Sequence, residues 1–211
     1  MVLSIDTCLA ACAAAVIDDG QILASRTEPM TRGHQEVLGG MVREVMAQTD
    51  LPFARLDRIA VTVGPGSFTG LRVGLAFAKG LATALDIPCI GVGTLDALAE
   101  GQEGPRIAVI DARKGQVYWR AFDGGQALTD PTAETAEEAL TAAHRVFGER
   151  PVTLIGSGAA LLADRLAISR AEPLPAPDPA SVARLGALAD PAAAPPKPLY
   201  LRPPYATLPD A

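Results

Sequence analysis

The chain is poor in the residues that most often carry chemistry. It has two histidines, His34 and His144, and three cysteines, Cys8, Cys12 and Cys89. A zinc or iron site needs three or four convergent nitrogen, sulfur or oxygen ligands, and two distant histidines do not supply them. His34 opens an expected helix, and Leu38 stands one turn later, where a second ligand would be. The cysteines are odd in number and set in apolar sequence, so they read as reduced core residues. No apolar run reaches the ~18 residues of a membrane span, and no basic, apolar leader precedes Asp6. A soluble, cytoplasmic protein without membrane contact is expected. Basic excess is also missing. A net charge of −6 argues against a stand-alone nucleic-acid binder, while allowing a contact made beside a more basic partner. Aromatics make up 4%, so any core is mainly aliphatic.

What the chain does have is apolar bulk, 49% of 211 residues, enough for one large domain or two small ones. Its densest stretch is Val61 to Ala82. Ile59 to Val63 is β-branched and reads as a buried strand. Gly64-Pro65-Gly66 ends it, and Ser67 or Thr69 can cap the helix that follows, from about Gly70 to Leu85. Val73, Phe77, Leu81 and Leu85 form a bulky stripe on that helix. Gly70, Gly74, Ala78 and Ala82 form a small one, with Ala76, Gly80 and Ala84 also small. Interior glycines cost about 1 kcal/mol each against alanine, and a helix apolar on most sides is buried on most sides. Small residues four apart let another backbone approach, either its own sheet or a partner protein.

Three strands are expected before this stretch, over Val2 to Cys8, Ala10 to Ile17 and Gln21 to Thr27, with a hairpin turn at Asp18-Asp19-Gly20. A helix from about His34 to Gln48 keeps Val37, Leu38, Met41, Val42, Val45 and Met46 in helical period around Gly39-Gly40. After it come a strand over Pro88 to Val92 and a short helix over Leu95 to Glu100, capped by Thr94. The pattern then restarts. A shift of 105 residues places Ile5-Asp6 on Ile110-Asp111, Asp18 on Asp123, Gly20-Gln21 on Gly125-Gln126 and Leu23 on Leu128. The second copy has strands over Arg106 to Asp111 and Gln116 to Phe122, then a helix over Thr135 to Phe147. A strand over Val152 to Ile155 and a glycine turn lead to a helix over Ala159 to Leu166. Duplication explains the shared order. Eleven of the 18 prolines lie at or after Pro173. They leave extended connectors, a small helix from Ser181 to Ala189 capped by Ser181, a docking segment Leu199 to Arg202, and a loose end after Tyr205.

Two such halves follow the plan of the actin-like ATPase (ribonuclease H-like) superfamily: an α/β protein of two lobes of mixed sheet with helices, here divided as 1–104 and 105–211. In that plan Asp6 and Asp111 would face a shared cleft and could hold a magnesium–nucleotide. Equally, each carboxylate could just satisfy turn N–H groups. The glycine turn before the Gly70 helix could cradle a phosphate. However, it lacks the Lys-Ser/Thr of a Walker loop and misses the dinucleotide spacing by one residue. Ser67 lacks the Gly-x-Ser-x-Gly elbow of a nucleophile. Chemistry is thinly supported, whereas the helices at His34 and Gly70 carry more apolar surface than one sheet face needs. An interaction protein is the reading; an actin-like phosphotransferase or a peptidase-like enzyme is the alternative.

The run Val63-Gly-Pro-Gly-Ser-Phe-Thr-Gly-Leu-Arg-Val-Gly74 gives a more specific signal. Ile5-Asp6-Thr7, the helix starting at His34, and Pro198-Leu-Tyr-Leu-Arg202 accompany it. With these the chain resembles the TsaB (YeaZ) family over essentially its whole length. The resemblance implies an actin-like fold and a part in forming N6-threonylcarbamoyladenosine beside the anticodon of tRNAs that read codons starting with A. In that system a separate synthase makes threonylcarbamoyl-adenylate from threonine, bicarbonate and ATP. A TsaD paralogue holding a metal transfers the group to tRNA, and a TsaE ATPase joins the pair. The paralogue's metal ligands include two histidines one turn apart, where this chain has His34 and Leu38. The resemblance therefore implies a subunit with no cofactor or catalytic residue of its own, ATP and metal belonging to its partners, and only indirect contact with tRNA. Its partner-binding residues are expected on the two helices: His34, Leu38, Met41, Val42, Val45, Gly70, Gly74, Phe77, Ala78 and Leu81. Without TsaD, surplus apolar surface predicts a homodimer.

Overall fold

The computed structural model describes residues 1–202. The first lobe is a five-stranded sheet of β1 (Val2–Asp6), β2 (Ala11–Asp18), β3 (Gln21–Pro29), β4 (Arg58–Gly64) and β5 (Cys89–Gly93), ordered β3-β2-β1-β4-β5. β1 and β2 pair antiparallel, as do β2 and β3, while β4 lies parallel to both β1 and β5. β1 and β2 are buried on both faces, which is why they read as continuous apolar runs rather than alternating ones. Asp19 and Gly20 both take positive φ between paired Asp18 and Gln21, the backbone of a two-residue hairpin turn.

The second sheet holds β6 (Arg106–Asp111), β7 (Gln116–Asp123), β8 (Gln126–Ala127), β10 (Val152–Ile155) and β11 (Ile168–Glu172), in the order β11-β10-β6-β7-β8. β9 (Thr132–Thr135) adds to the outer side of β7. With β9 set aside, the order repeats that of the first sheet element for element. Even the hairpin recurs, with Gly124 and Gly125 at positive φ between paired Asp123 and Gln126.

Helices α1 (His34–Gln48) and α2 (Phe68–Leu85) cover one face of the first sheet, burying Leu3, Ile5, Ile59 and Val61 against Leu38, Met41, Val45, Leu71 and Leu75. Helices α4 (Ala136–Phe147) and α5 (Ala159–Leu162) cover the matching face of the second sheet. The opposite faces are covered by exchange. α3 (Thr94–Ala99) follows the last strand of the first sheet, yet Leu95, Leu98 and Ala99 pack on Ala108, Ile110, Phe122 and Ile155 of the second. α6 (Pro179–Leu188) follows the last strand of the second sheet, yet Val182 and Ala183 pack on Val2, Ile17, Ala60 and Val92 of the first. Packing therefore does not follow the expected division at residue 104. Ion pairs fasten the exchanged helices: Arg120 to Asp96 at 2.6 Å, and Arg184 to both carboxylate oxygens of Glu100 at 3.0 and 2.9 Å.

Several expected details shift. Asp178, not Ser181, caps α6, its carboxylate accepting from Ala180 N–H, with Pro179 in the first turn. Thr94 is the first residue of α3 rather than its cap. The helix expected over Ala159 to Leu166 is one α-turn followed by a 3-10 turn over Ala163–Arg165. The third strand that the repeat implies after the Asp123 turn is the two-residue β8, while β9 and β11 were not expected from the sequence. The loose end expected after Tyr205 lies outside the described residues.

Candidate functional site: an apolar helix face beside an interlobe cleft

β4 ends at Gly64, whose φ of 103° suits glycine, and a cis bond leads into Pro65. Ser67 then caps α2 by accepting from Gly70 N–H at 3.2 Å. From there the small stripe turns inward. A Cβ on Gly70 would overlap the carbonyl oxygen of Thr7, and one on Gly74 would lie 2.5 Å from Thr7 Oγ1. Thr7 Oγ1 itself donates to Gly70 C=O at 2.7 Å. Ala78 and Ala82 are buried in the same core. The close approach that small residues permit is made by the end of β1, the chain's own strand. This corrects the expectation that Gly70, Gly74 and Ala78 give a partner room. His34, Leu38, Met41, Val42 and Val45 are likewise interior.

Surface remains on the bulky side. Phe77 and Leu81 are half-buried, and around Phe77 a groove runs between α1 and α2 with two hollows of about 520 and 400 Å³. Phe68, Arg72, Val73 and Ala76 line one hollow; Gly39, Gly40, Phe53 and Leu81 line the other. A Cβ on Gly39 would lie 3.6 Å from the Phe77 ring, whereas Gly40 and Gly80 face open space. Gln35, Glu36, Arg43 and Arg72 give the groove a polar rim.

The lobes meet at a cleft of about 500 Å³, lined by Cys8 to Ala10, Thr31, Gly66 and Ser67 on one side and by Asp111 to Arg113, Tyr118 and Ser157 on the other. A phosphate cradle needs backbone N–H groups free to point at the anion. Here six of them are committed. Cys8 N–H donates to Asp6 Oδ1, Ala10 N–H to Pro175 C=O and Ser67 N–H to Cys8 C=O. Across the cleft, Asp111 N–H donates to Ser157 Oγ, Ala112 N–H to Gln116 C=O and Arg113 N–H to Asp111 Oδ1. Asp6 is fully buried, its Oδ1 accepting also from Thr62 Oγ1 at 2.6 Å. Asp6 and Asp111 thus each satisfy a turn N–H group through Oδ1. Among the described residues no three His, Cys, Asp or Glu side chains converge on a metal position. Burial pushes the Cys8 thiol up to about 12 and the Cys12 and Cys89 thiols up to about 11, so none is a thiolate at neutral pH. No histidine lines the cleft.

Burial also raises the Asp6 carboxyl above its ordinary range, against the Thr62 hydroxyl and the Cys8 N–H, which favour its charge. Among the described residues its Oδ2 is buried without a partner. A folded pKa above the unfolded value of about 3.9 stabilises fully below that value, and the contribution is lost as pH rises through the folded pKa. Asp6→Asn removes this dependence. Its melting temperature relative to wild type is expected to rise between pH 4 and pH 8; a gap constant across calorimetric scans would contradict it.

Two sheets of identical order, each built from the same eight elements and facing across a cleft, define an α/β protein of the actin-like ATPase class. The activator of 2-hydroxyisocaproyl-CoA dehydratase from Clostridium difficile, with bound ADPNP, shares that fold, with a TM-score of 0.53 at 10% identity over 87% of this chain and 92% of that one. The family model for TsaD, tRNA N6-adenosine threonylcarbamoyltransferase, matches residues 21–169, and the chain belongs to this family. The tRNA threonylcarbamoyladenosine biosynthesis protein TsaB of Escherichia coli is 37% identical over 126 residues, 57% of this chain and 54% of that protein. YeaZ from Pseudomonas aeruginosa superposes with a TM-score of 0.78 at 25% identity, covering 95% of this chain and 99% of that one. The chain spans about half the length of the curated relatives it matches. No helix among the described residues is long and apolar enough to cross a membrane.

Proposed function

We propose that this chain is a non-catalytic subunit of the machinery that forms N6-threonylcarbamoyladenosine in tRNA, and that it holds and stabilises a TsaD-like paralogue through the groove between α1 and α2. The observation that carries the reading is a contrast within one chain. Six of the cleft's backbone donors are consumed internally, while an apolar groove with a polar rim stands open on α1 and α2, the arrangement of an interface core and its rim. Metal and ATP belong to the paralogue and to a TsaE-like ATPase. On this side Leu38 is a core residue and His34 stands without a second histidine one turn on. Contact with tRNA is indirect. Without the paralogue, the same groove pairs two copies of the chain, since exposed apolar surface favours association.

Depleting the protein in cells should lower N6-threonylcarbamoyladenosine in total tRNA, measured by nucleoside mass spectrometry. The purified chain mixed with its TsaD-like paralogue should elute as one species in gel filtration. Unchanged nucleoside levels together with separate elution would overturn the proposal.

A further inference from the structure

After α6 the chain runs back along the edge of the first sheet. Gly91 N–H donates to Ala194 C=O at 2.9 Å. At the irregularity between Thr62 and Gly64, where β4 and β5 shift register, Val63 C=O accepts from Leu199 N–H at 2.7 Å. Side chains at Gly91 or Gly64 would obstruct this path. A Cβ at Gly91 would meet Pro195 C=O at 2.7 Å, and one at Gly64 would meet Leu199 C=O at 2.9 Å. The next residues face different lobes. Tyr200 lies on Phe68 with ring centroids 5.5 Å apart, and its hydroxyl accepts from Arg72 Nε at 3.3 Å, both at the head of α2. Arg202 reaches the second lobe, where Nη1 donates to Ala112 C=O at 2.9 Å and the guanidinium stands over the Tyr118 ring at 5.5 Å.

We infer that Leu199 to Arg202 is a latch between the lobes, and that it couples occupancy of the α1–α2 groove to the setting of the cleft turn at residues 111–113. Phe68 and Arg72 belong to both structures: they line the groove and they hold Tyr200. A protein seated in the groove rests on the near end of the latch. Two residues of extended chain, about 7 Å, carry the constraint to Arg202. Ala112, which Arg202 holds, adjoins Asp111 in the turn that lines the cleft. The coupling, though not the latch itself, rests on the pairing proposed above.

Hydrogen exchange on the full chain tests both parts. In the isolated protein, Arg202→Ala and Tyr200→Ala should each leave the strands outside residues 111–118 protected. Amides of residues 111–118 should exchange about tenfold faster, the loss expected when one charge-assisted hydrogen bond no longer holds a locally opening turn. Exchange identical to wild type in both variants overturns the latch. Added TsaD-like paralogue should slow exchange at 111–118 in the wild type, but not in Arg202→Ala at equal saturation. Complex formation that leaves 111–118 unchanged in the wild type overturns the coupling while the pairing stands. Failure to form a complex overturns the pairing and the coupling with it, and the isolated-protein comparison still decides the latch.

Discussion

Gly70→Val is expected to unfold the first lobe at a lower temperature, not merely to weaken a complex. The added Cβ would meet the carbonyl oxygen of Thr7, and that oxygen cannot step aside easily. The Thr7 side chain is tied to Gly70 C=O, and the neighbouring Cys8 C=O accepts from Ser67 N–H at 2.7 Å. Overpacking a tight core costs typically 1–3 kcal/mol, and more where the obstacle is backbone. A loss of about 3 kcal/mol lowers the melting temperature of a chain this size by roughly 6–12 °C. Circular dichroism melts measure it directly. A midpoint within about 2 °C of wild type would show that the small stripe is not spent on its own sheet.

Ala76→Arg should behave in the opposite way. Ala76 is exposed and lines the groove beside Phe77, so the folded chain accommodates arginine within about 0.5 kcal/mol. A charged side chain at the centre of an apolar contact excludes the partner. Losses at central interface positions reach 2 kcal/mol or more, so affinity for the TsaD-like paralogue should fall about thirtyfold or more. Titration calorimetry beside a thermal melt separates binding from folding. Gly80→Arg, at a position with open space around it, provides a second variant on the same face. Undiminished affinity in both would move the interface away from the groove.

The two substitutions also mark where sequence reading reached its limit. Strand and helix order, the repeat and the Ser67 cap follow from periodicity, turn residues and a 105-residue shift. Which side of α2 meets the sheet does not. Gly70/Gly74/Ala78/Ala82 and Val73/Phe77/Leu81/Leu85 run along the same helix, and a helix apolar nearly all round carries little pattern to orient it. Orientation was decided by Thr7, sixty-odd residues upstream, whose carbonyl and hydroxyl fit only against glycine. For the same reason most residues expected at a partner interface are core residues, and Phe77 and Leu81 are the ones that keep open surface. The missed strands are weak for a different reason. β11 is a largely exposed edge, and β9 reads Thr-Ala-Glu-Thr, with no apolar alternation to announce it. The Asp178 cap was legible, since a proline follows it at the first helical position.

The exchanged helices α3 and α6 make each half depend on the other. One copy of the repeat contains a sheet, two helices for one face, and a third helix that packs mainly on the other copy's sheet. Separating the halves at the connector between α3 and β6, residues 100–105, would strip each sheet of the helix that covers its second face.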